Sequence, residues 1–199
     1  CIRASGGVTV QRNDAGALSN RSGKRDVIRK IDRPERYPVA REAAEQTPAL
    51  IERQRQIALV LQCAELVGIL DAVLEMTTQW LFDRHSFGRP LASYQVLKHR
   101  AADMKMWFEA CRATTAAAVT AVSQRKPDAT TLVSVAKAYV AERAPAIIQD
   151  CVQLHGGIGV TWEHDLHLFL RRASLNRAMF GSPEDHHRAV YALSRKTQA

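Results

Sequence analysis

From about residue 47 onward, apolar positions recur at three- and four-residue spacings, the period of an α-helix with one face turned to a core. Ile57, Val60, Leu61, Ala64, Val67, Gly68, Leu74, Thr78 and Leu81 trace such a face along a first helix of about 35 residues, roughly 50 Å at the usual rise. Gly88-Arg89-Pro90 ends it. A second helix covers residues 93–124 through Val96, Leu97, Ala101, Met104, Phe108, Cys111, Thr115, Ala118 and Val122. It stops ahead of Lys126-Pro127-Asp128, because the residue before proline avoids helical backbone. Asp128 is placed to cap a third helix that runs to His155, with Leu132, Val135, Ala136, Tyr139, Ala146 and Val152 facing inward. Pro145 removes one donor and is expected to bend it. Beyond the Gly156-Gly157-Ile158-Gly159 break come a fourth helix over 163–179, capped by Glu163 and Asp165, and a last one over 183–195. Ser182 is the N-cap of that last helix and Pro183 its first residue.

Long helices joined by short turns favour antiparallel neighbours, so the predicted fold class is all-α, an up-down four-helix bundle over 48–199. Residues 1–47 read differently. Gly6, Gly7, Asn13, Gly16, Asn20 and Gly23 surround the alternating run Val8-Thr9-Val10-Gln11, and a second run over 27–31 precedes Pro34 and Pro38. Neither run makes a stable sheet without partner strands, so this segment reads as the tail of a β-domain followed by a linker.

Composition narrows the class. With 46% hydrophobic and 24% charged residues, the chain has the profile of a globular protein. No apolar run approaches the roughly 18 residues of a bilayer span, and the N-terminus lacks a secretory pattern, so no membrane partner and a cytoplasmic location are expected. Cys63, Cys111 and Cys151 fall in apolar helical stretches and read as buried thiols of a reducing compartment; Cys1 reads as the start of a fragment rather than a lipidated terminus. A net charge of +8 admits nucleic acid or a phosphate-rich ligand. The cations are spread over all the helices rather than gathered on one recognition face, which argues against nucleic acid. His164 and His167, and His186 and His187, have no third ligand fixed by spacing, so no metal is expected. His99 and Asp103 read as a local pair one helical turn apart.

Two segments carry candidate chemistry. Gln153-Leu154-His155-Gly156-Gly157-Ile158-Gly159-Val160-Thr161 places glycines where one helix stops and another begins, allowing close backbone approach to a ligand or simply a helix C-cap. About sixty residues earlier, Asp83-Arg84-His85-Ser86-Phe87-Gly88-Arg89-Pro90-Leu91 closes the first helix, with Gln95 just beyond. In this order and at this spacing, the pair resembles the acyl-CoA dehydrogenase family, over residues 48–199.

The resemblance implies a C-terminal helical domain that supplies part of an FAD site, mostly to a neighbouring subunit. Arg84 would contact the pyrophosphate, Phe87 the adenosine side, and Gln95 the cofactor by hydrogen bonding. Gln153, Gly156, Gly157 and Gly159 would meet the adenine and ribose end. The implied reaction is α,β-dehydrogenation of an acyl-CoA thioester, within a homo- or heterotetramer of such subunits and with electron-transfer flavoprotein as acceptor. The family's base carboxylate falls on Phe180, and its alternative site, on the first helix, falls on Ala58. Neither side chain takes a proton. Glu65, Glu163, Asp165, Glu184 and Asp185 lie nearby, and none is assigned as the base. The implied role is therefore a non-catalytic, flavin-site subunit of the heteromeric kind found in bacterial fatty-acid and sterol degradation. The alternative is a helical interaction or nucleic-acid-binding module without cofactor.

Overall fold

In the computed structural model the described backbone comprises residues 11–12, 18–19 and 38–198, with side-chain surroundings described for 47–195. Backbone contacts divide the chain into two units, Cys1–Ile51 and Glu52–Ala199. Within the first, β1 (Gln11–Arg12) pairs antiparallel with β2 (Leu18–Ser19), Gln11 opposite Ser19 and Arg12 opposite Leu18. The runs at Val8 to Val10 and at 27–31 lie outside the described residues.

The rest is an all-α bundle, as the helical periodicity predicts. α1 (Pro38–Asp83) is followed by β3 (His85–Ser86), β4 (Arg89–Pro90) and a 3-10 turn over Leu91–Ser93. Then come α2 (Gln95–Ser123), α3 (Ala129–His155), a 3-10 turn over Gly156–Val160, α4 (Leu166–Ala178) and α5 (Pro183–Gln198). α3 is the central element, packed against α2, α4 and α5. α1 begins nine residues ahead of the expected Thr47, because Pro38 fits a first helical position and Pro48 is accommodated within the helix.

The face that α1 buries differs from the predicted one. Leu59, Cys63, Leu66, Leu70, Val73 and Thr77 are fully or almost fully buried, together with Val60 and Leu81. Ile57, Leu61, Ala64, Gly68 and Thr78 point to solvent. α1 is apolar on nearly all sides, so periodicity alone left two stripes to choose from. The same property overturns the expectation about membrane spans. Within Thr47–Asp83 an 18-residue window reaches a mean hydropathy of 2.1, long and apolar enough to cross a bilayer by length and composition. Here the inward stripe is the wall of a shared core with Met104, Phe108 and Cys111 of α2, Val140, Ile147 and Ile148 of α3, and Leu166 and Ala173 of α4. Burying each of the large members, such as Phe108, Ile147 or Leu166, contributes about 1.5–3 kcal/mol.

Other expectations fail locally. Ala146 is exposed, and α3 buries Val133, Val140, Ala144, Ile147, Ile148 and Cys151 instead. Val96 is exposed at the start of α2. Asp128 sits at the N-cap of α3 but caps it through its carbonyl, which accepts from Leu132 N at 3.0 Å, and not through its side chain. α4 starts at Leu166, later than expected: Asp165 makes no side-chain cap, and His164 Nδ1 accepts from Leu166 N at 3.2 Å. The α5 cap matches its prediction. Asp185 N donates to Ser182 Oγ at 3.2 Å while Ser182 N donates to Asp185 Oδ2 at 3.1 Å, a reciprocal capping box. The three helical cysteines are free and buried, and burial pushes Cys63 up to about 11, Cys111 to about 12 and Cys151 to about 11.

Candidate functional site

The first candidate segment folds as a tight hairpin at the end of α1. Arg84 N still donates to Trp80 O at 2.9 Å, and Leu91 N closes onto Arg84 O at 2.8 Å. Between them β3 and β4 pair antiparallel, His85 with Pro90 and Ser86 with Arg89, leaving Phe87 and Gly88 as a two-residue loop. Both loop residues have positive φ, 51° and 76°, the signature of a type I′ turn. Glycine suits that backbone and phenylalanine does not, yet Phe87 stands at the tip with 96% of its surface exposed. The base of the hairpin is fixed from α2: Tyr94 Oη donates to Ser86 O at 2.8 Å, and the Arg89 guanidinium lies 3.9 Å from the Tyr94 ring centre. Arg84 and Gln95 are exposed beside it. The Arg84 guanidinium has no hydrogen bond or ion pair among the described residues. Gln95 Nε2 lies 3.2 Å from His99 Nε2, so the expected partner of His99, Asp103, is replaced by Gln95. Ser86, Phe87, Leu91, Tyr94, Gln95, Val96 and Leu97 line an apolar concavity of about 360 Å³.

The glycine segment caps α3. Gly156 holds φ 67°, a conformation closed to most side chains, and Gly156 and Gly157 have no atom within 4 Å of where a Cβ would sit. Their backbone is open to a ligand. Gly159 differs: a Cβ there would lie 2.6 Å from Val152 O and 2.9 Å from His155 Cβ, so its glycine is explained by packing on the end of α3. Gln153 is exposed on the last turn of α3.

Trp80 and His155, which sequence reasoning did not single out, join the two segments. Their rings stack at 5.3 Å and 18°, four residues before Arg84 on one side and one before Gly156 on the other. The signal for them is their position next to each motif. His155 Nδ1 donates to Cys151 O at 2.8 Å, a carbonyl that can only accept, and burial lowers the imidazole below its ordinary pKa of 6.5. His164 meets His155 edge-on at 4.6 Å. Together with Ala72, Glu75, Met76, Gln79 and Asp83, these three rings line a cleft of about 530 Å³.

Phe180 sits in the corner between α4 and α5, half exposed, with φ 59° ahead of Gly181 at 104°. The His186 ring is 3.2 Å from Phe180 O. One turn earlier, the fully buried Lys137 donates to Asn176 O and, at 3.0 Å, to Gln62 Oε1. Among the described residues no carboxylate partners this amine, and burial lowers its pKa. Ala58 is half-buried on α1. Glu65, two turns beyond Ala58, accepts from Arg172 Nε at 2.6 Å and from Asn176 Nδ2 at 2.9 Å, and the Arg172 hydrogen bond holds it below the usual carboxylate range. Backbone hydrogen bonds do the same for Glu163, Glu184 and Asp185. Among the described residues there is no group of three candidate metal ligands.

A family model described as acyl-CoA dehydrogenase, C-terminal domain, matches residues 51–192. The chain is 36% identical over 135 residues to the acyl-CoA dehydrogenase IpdE2 of Mycolicibacterium smegmatis, covering 68% of this chain and 42% of that protein. Among solved structures, the steroid acyl-CoA dehydrogenase Tcur3481-Tcur3483 superposes with a TM-score of 0.68 at 26% identity, over 72% of this chain and 39% of that one. PigA with FAD and proline superposes with a TM-score of 0.67 at 26% identity, over 72% of this chain and 37% of that one. The chain thus spans about two fifths of the length of these relatives. It belongs to the acyl-CoA dehydrogenase family, of which residues 51–192 are the C-terminal helical domain.

Proposed function

We propose that this chain is a flavoprotein subunit of acyl-CoA dehydrogenase type, contributing to an FAD site at a subunit interface without supplying the catalytic base. The observation that carries the flavin half is the hairpin tip. Phe87 is held in a strained left-handed backbone and left bare, beside an Arg84 guanidinium with no partner among the described residues. Such an arrangement has no benefit for the isolated fold and suits a cofactor that covers it. Arg84 fits a pyrophosphate through its planar donors, Phe87 presents an aromatic face to adenosine, and Gln95 offers an amide. Gln153 and the open backbone at Gly156 and Gly157 suit the adenine end. Gly159 drops out of that contact set, since its packing on α3 accounts for it.

The bound flavin would accept a hydride from the acyl β-carbon, and the α-proton needs a base whose pKa is matched to the task. Phe180 and Ala58 offer none. The nearby Glu65, Glu163, Glu184 and Asp185 are all shifted down rather than up, the wrong direction for a carboxylate poised to take a proton near neutrality. The base would then come from a partner subunit in a heteromer. The two-component name of the steroid enzyme and the FAD in the PigA structure support this reading. Sterol or fatty acyl-CoA would be the substrate class and electron-transfer flavoprotein the acceptor.

The test is turnover of an acyl-CoA thioester by the chain purified together with its partner subunit. Glu65→Gln, which keeps an acceptor for Asn176, is expected to leave kcat within about twofold, because no substrate proton is assigned to this carboxylate; a loss of about a hundredfold, the scale of a missing general base, would put the base on this chain after all.

A further inference from the structure

The cleft between the end of α1 and the end of α3 takes no part in the flavin contacts: Arg84, Gly156 and Gly157 lie outside its lining. Along α1, Glu75, Gln79 and Asp83 follow one another at four-residue spacing and form a row of oxygens down one side of the groove. Met76 and Trp80 form an apolar row beside it. Gln79 Nε2 donates to both oxygens of Asp83, at 3.0 and 3.1 Å, which leaves Gln79 Oε1 as an acceptor. Glu75 has no hydrogen bond or ion pair among the described residues. Across the groove His155 is only 5% exposed, and its Nδ1–H is committed to Cys151 O at 2.8 Å. The neutral ring therefore offers Nε2 as an acceptor, and that atom has no partner among the described residues. Burial holds the imidazole below its ordinary pKa, so no positive charge arises here at neutral pH.

We propose that this cleft binds an alkyl diamine, with one ammonium on Glu75, the other on Asp83, and the aliphatic stem along Met76 and Trp80. Three features select that chemistry. Glu75, Gln79 Oε1 and His155 Nε2 all accept, so the ligand brings the donors. The second feature is charge. On a chain whose net charge is +8, no lysine or arginine lines this cleft, and two carboxylates do. A groove lined by one sign of charge draws in the opposite sign, so it favours a cation and disfavours a phosphate. The third is spacing. Glu75 and Asp83 are eight residues apart, about 12 Å along the helix axis, too far for one ammonium to serve both. The apolar row between them suits methylene groups, and an ammonium beside the Trp80 indole gains a cation–π contact. A single lysine side chain from another polypeptide would leave one carboxylate bare. The volume of about 530 Å³ accommodates a small ligand of this kind. Because none of the flavin contacts lines the cleft, diamine binding and flavin binding can fail separately.

Isothermal titration calorimetry of the purified complex with 1,5-diaminopentane tests it, with 1,5-pentanediol as the uncharged control and n-pentylamine as the singly charged one. One diamine per copy of this chain is expected to bind saturably, the diol not at all, and the monoamine at least about tenfold more weakly, the scale of one lost charge-assisted hydrogen bond. Glu75→Gln and Asp83→Asn each remove one counter-charge and keep the side-chain shape, and each is expected to weaken the diamine by at least about tenfold. Both positions are exposed, so circular dichroism should show the fold retained. His155→Phe keeps the stack on Trp80 without the acceptor and is expected to weaken the diamine by about threefold, the scale of a neutral hydrogen bond. No saturable binding, equal binding of the diol, a monoamine as tight as the diamine, or an affinity unchanged in both carboxylate variants would overturn the proposal.

Discussion

At the scale of single residues, the glycines around residue 157 differ in their surroundings, one packed on α3 and two facing open space. Gly159→Ala drives a methyl into Val152 O and should destabilise the fold by about 1–3 kcal/mol, measured by chemical denaturation. Gly157→Ala meets open space and should leave the midpoint unchanged. The sequence motif alone presented these glycines as equivalent; only packing on α3 distinguishes them. The buried imidazoles give a second prediction. His155 and His186 have pKa values lowered mainly by burial, so between those lowered values and 6.5 the unfolded chain takes up protons that the folded chain refuses. Stability should therefore be complete above pH 6.5 and fall as the pH drops through that window. His155→Phe keeps the stack on Trp80 and should flatten the fall in a plot of melting temperature against pH.

At the scale of elements, the β3–β4 hairpin shows a local conflict between sequence and backbone. Phe87→Asn places a residue that tolerates the left-handed region in the type I′ loop, and should stabilise the chain by about 1 kcal/mol in thermal melts. Flavin content of the complex should drop in the same variant. A gain in stability together with a loss of function is the mark of strain kept for a ligand, and unchanged flavin would remove Phe87 from the site. What sequence reading recovered at this scale depended on contrast between faces. α2 mixes alanine, threonine and charges outside with Met104, Phe108, Cys111, Ala118 and Val122 inside, and periodicity finds its buried face apart from the exposed Val96. α1 is apolar on both sides, so periodicity points to the stripe through Leu61 and Gly68, while the core runs through Leu59, Leu66 and Leu70. Lys137 was likewise invisible: a lone lysine in a helical run reads as surface, and its burial depends on Gln62 and Asn176, which are distant in sequence.

At the scale of the whole molecule, the Arg84 and Gly156 motifs were legible because their residue types and spacing persist in the sequence, and helix packing then brings their flanks together through Trp80 and His155. Their use depends on what lies outside this chain, which spans about two fifths of its relatives. Flavin stoichiometry of the native complex, read from its visible absorption spectrum before and after Arg84→Ala, tests the central claim most directly. The account predicts bound flavin in the parent complex and at least about tenfold weaker retention in the variant, the scale of a lost charge-assisted hydrogen bond. A complex without flavin bands, or one whose flavin is untouched by Arg84→Ala, would contradict it.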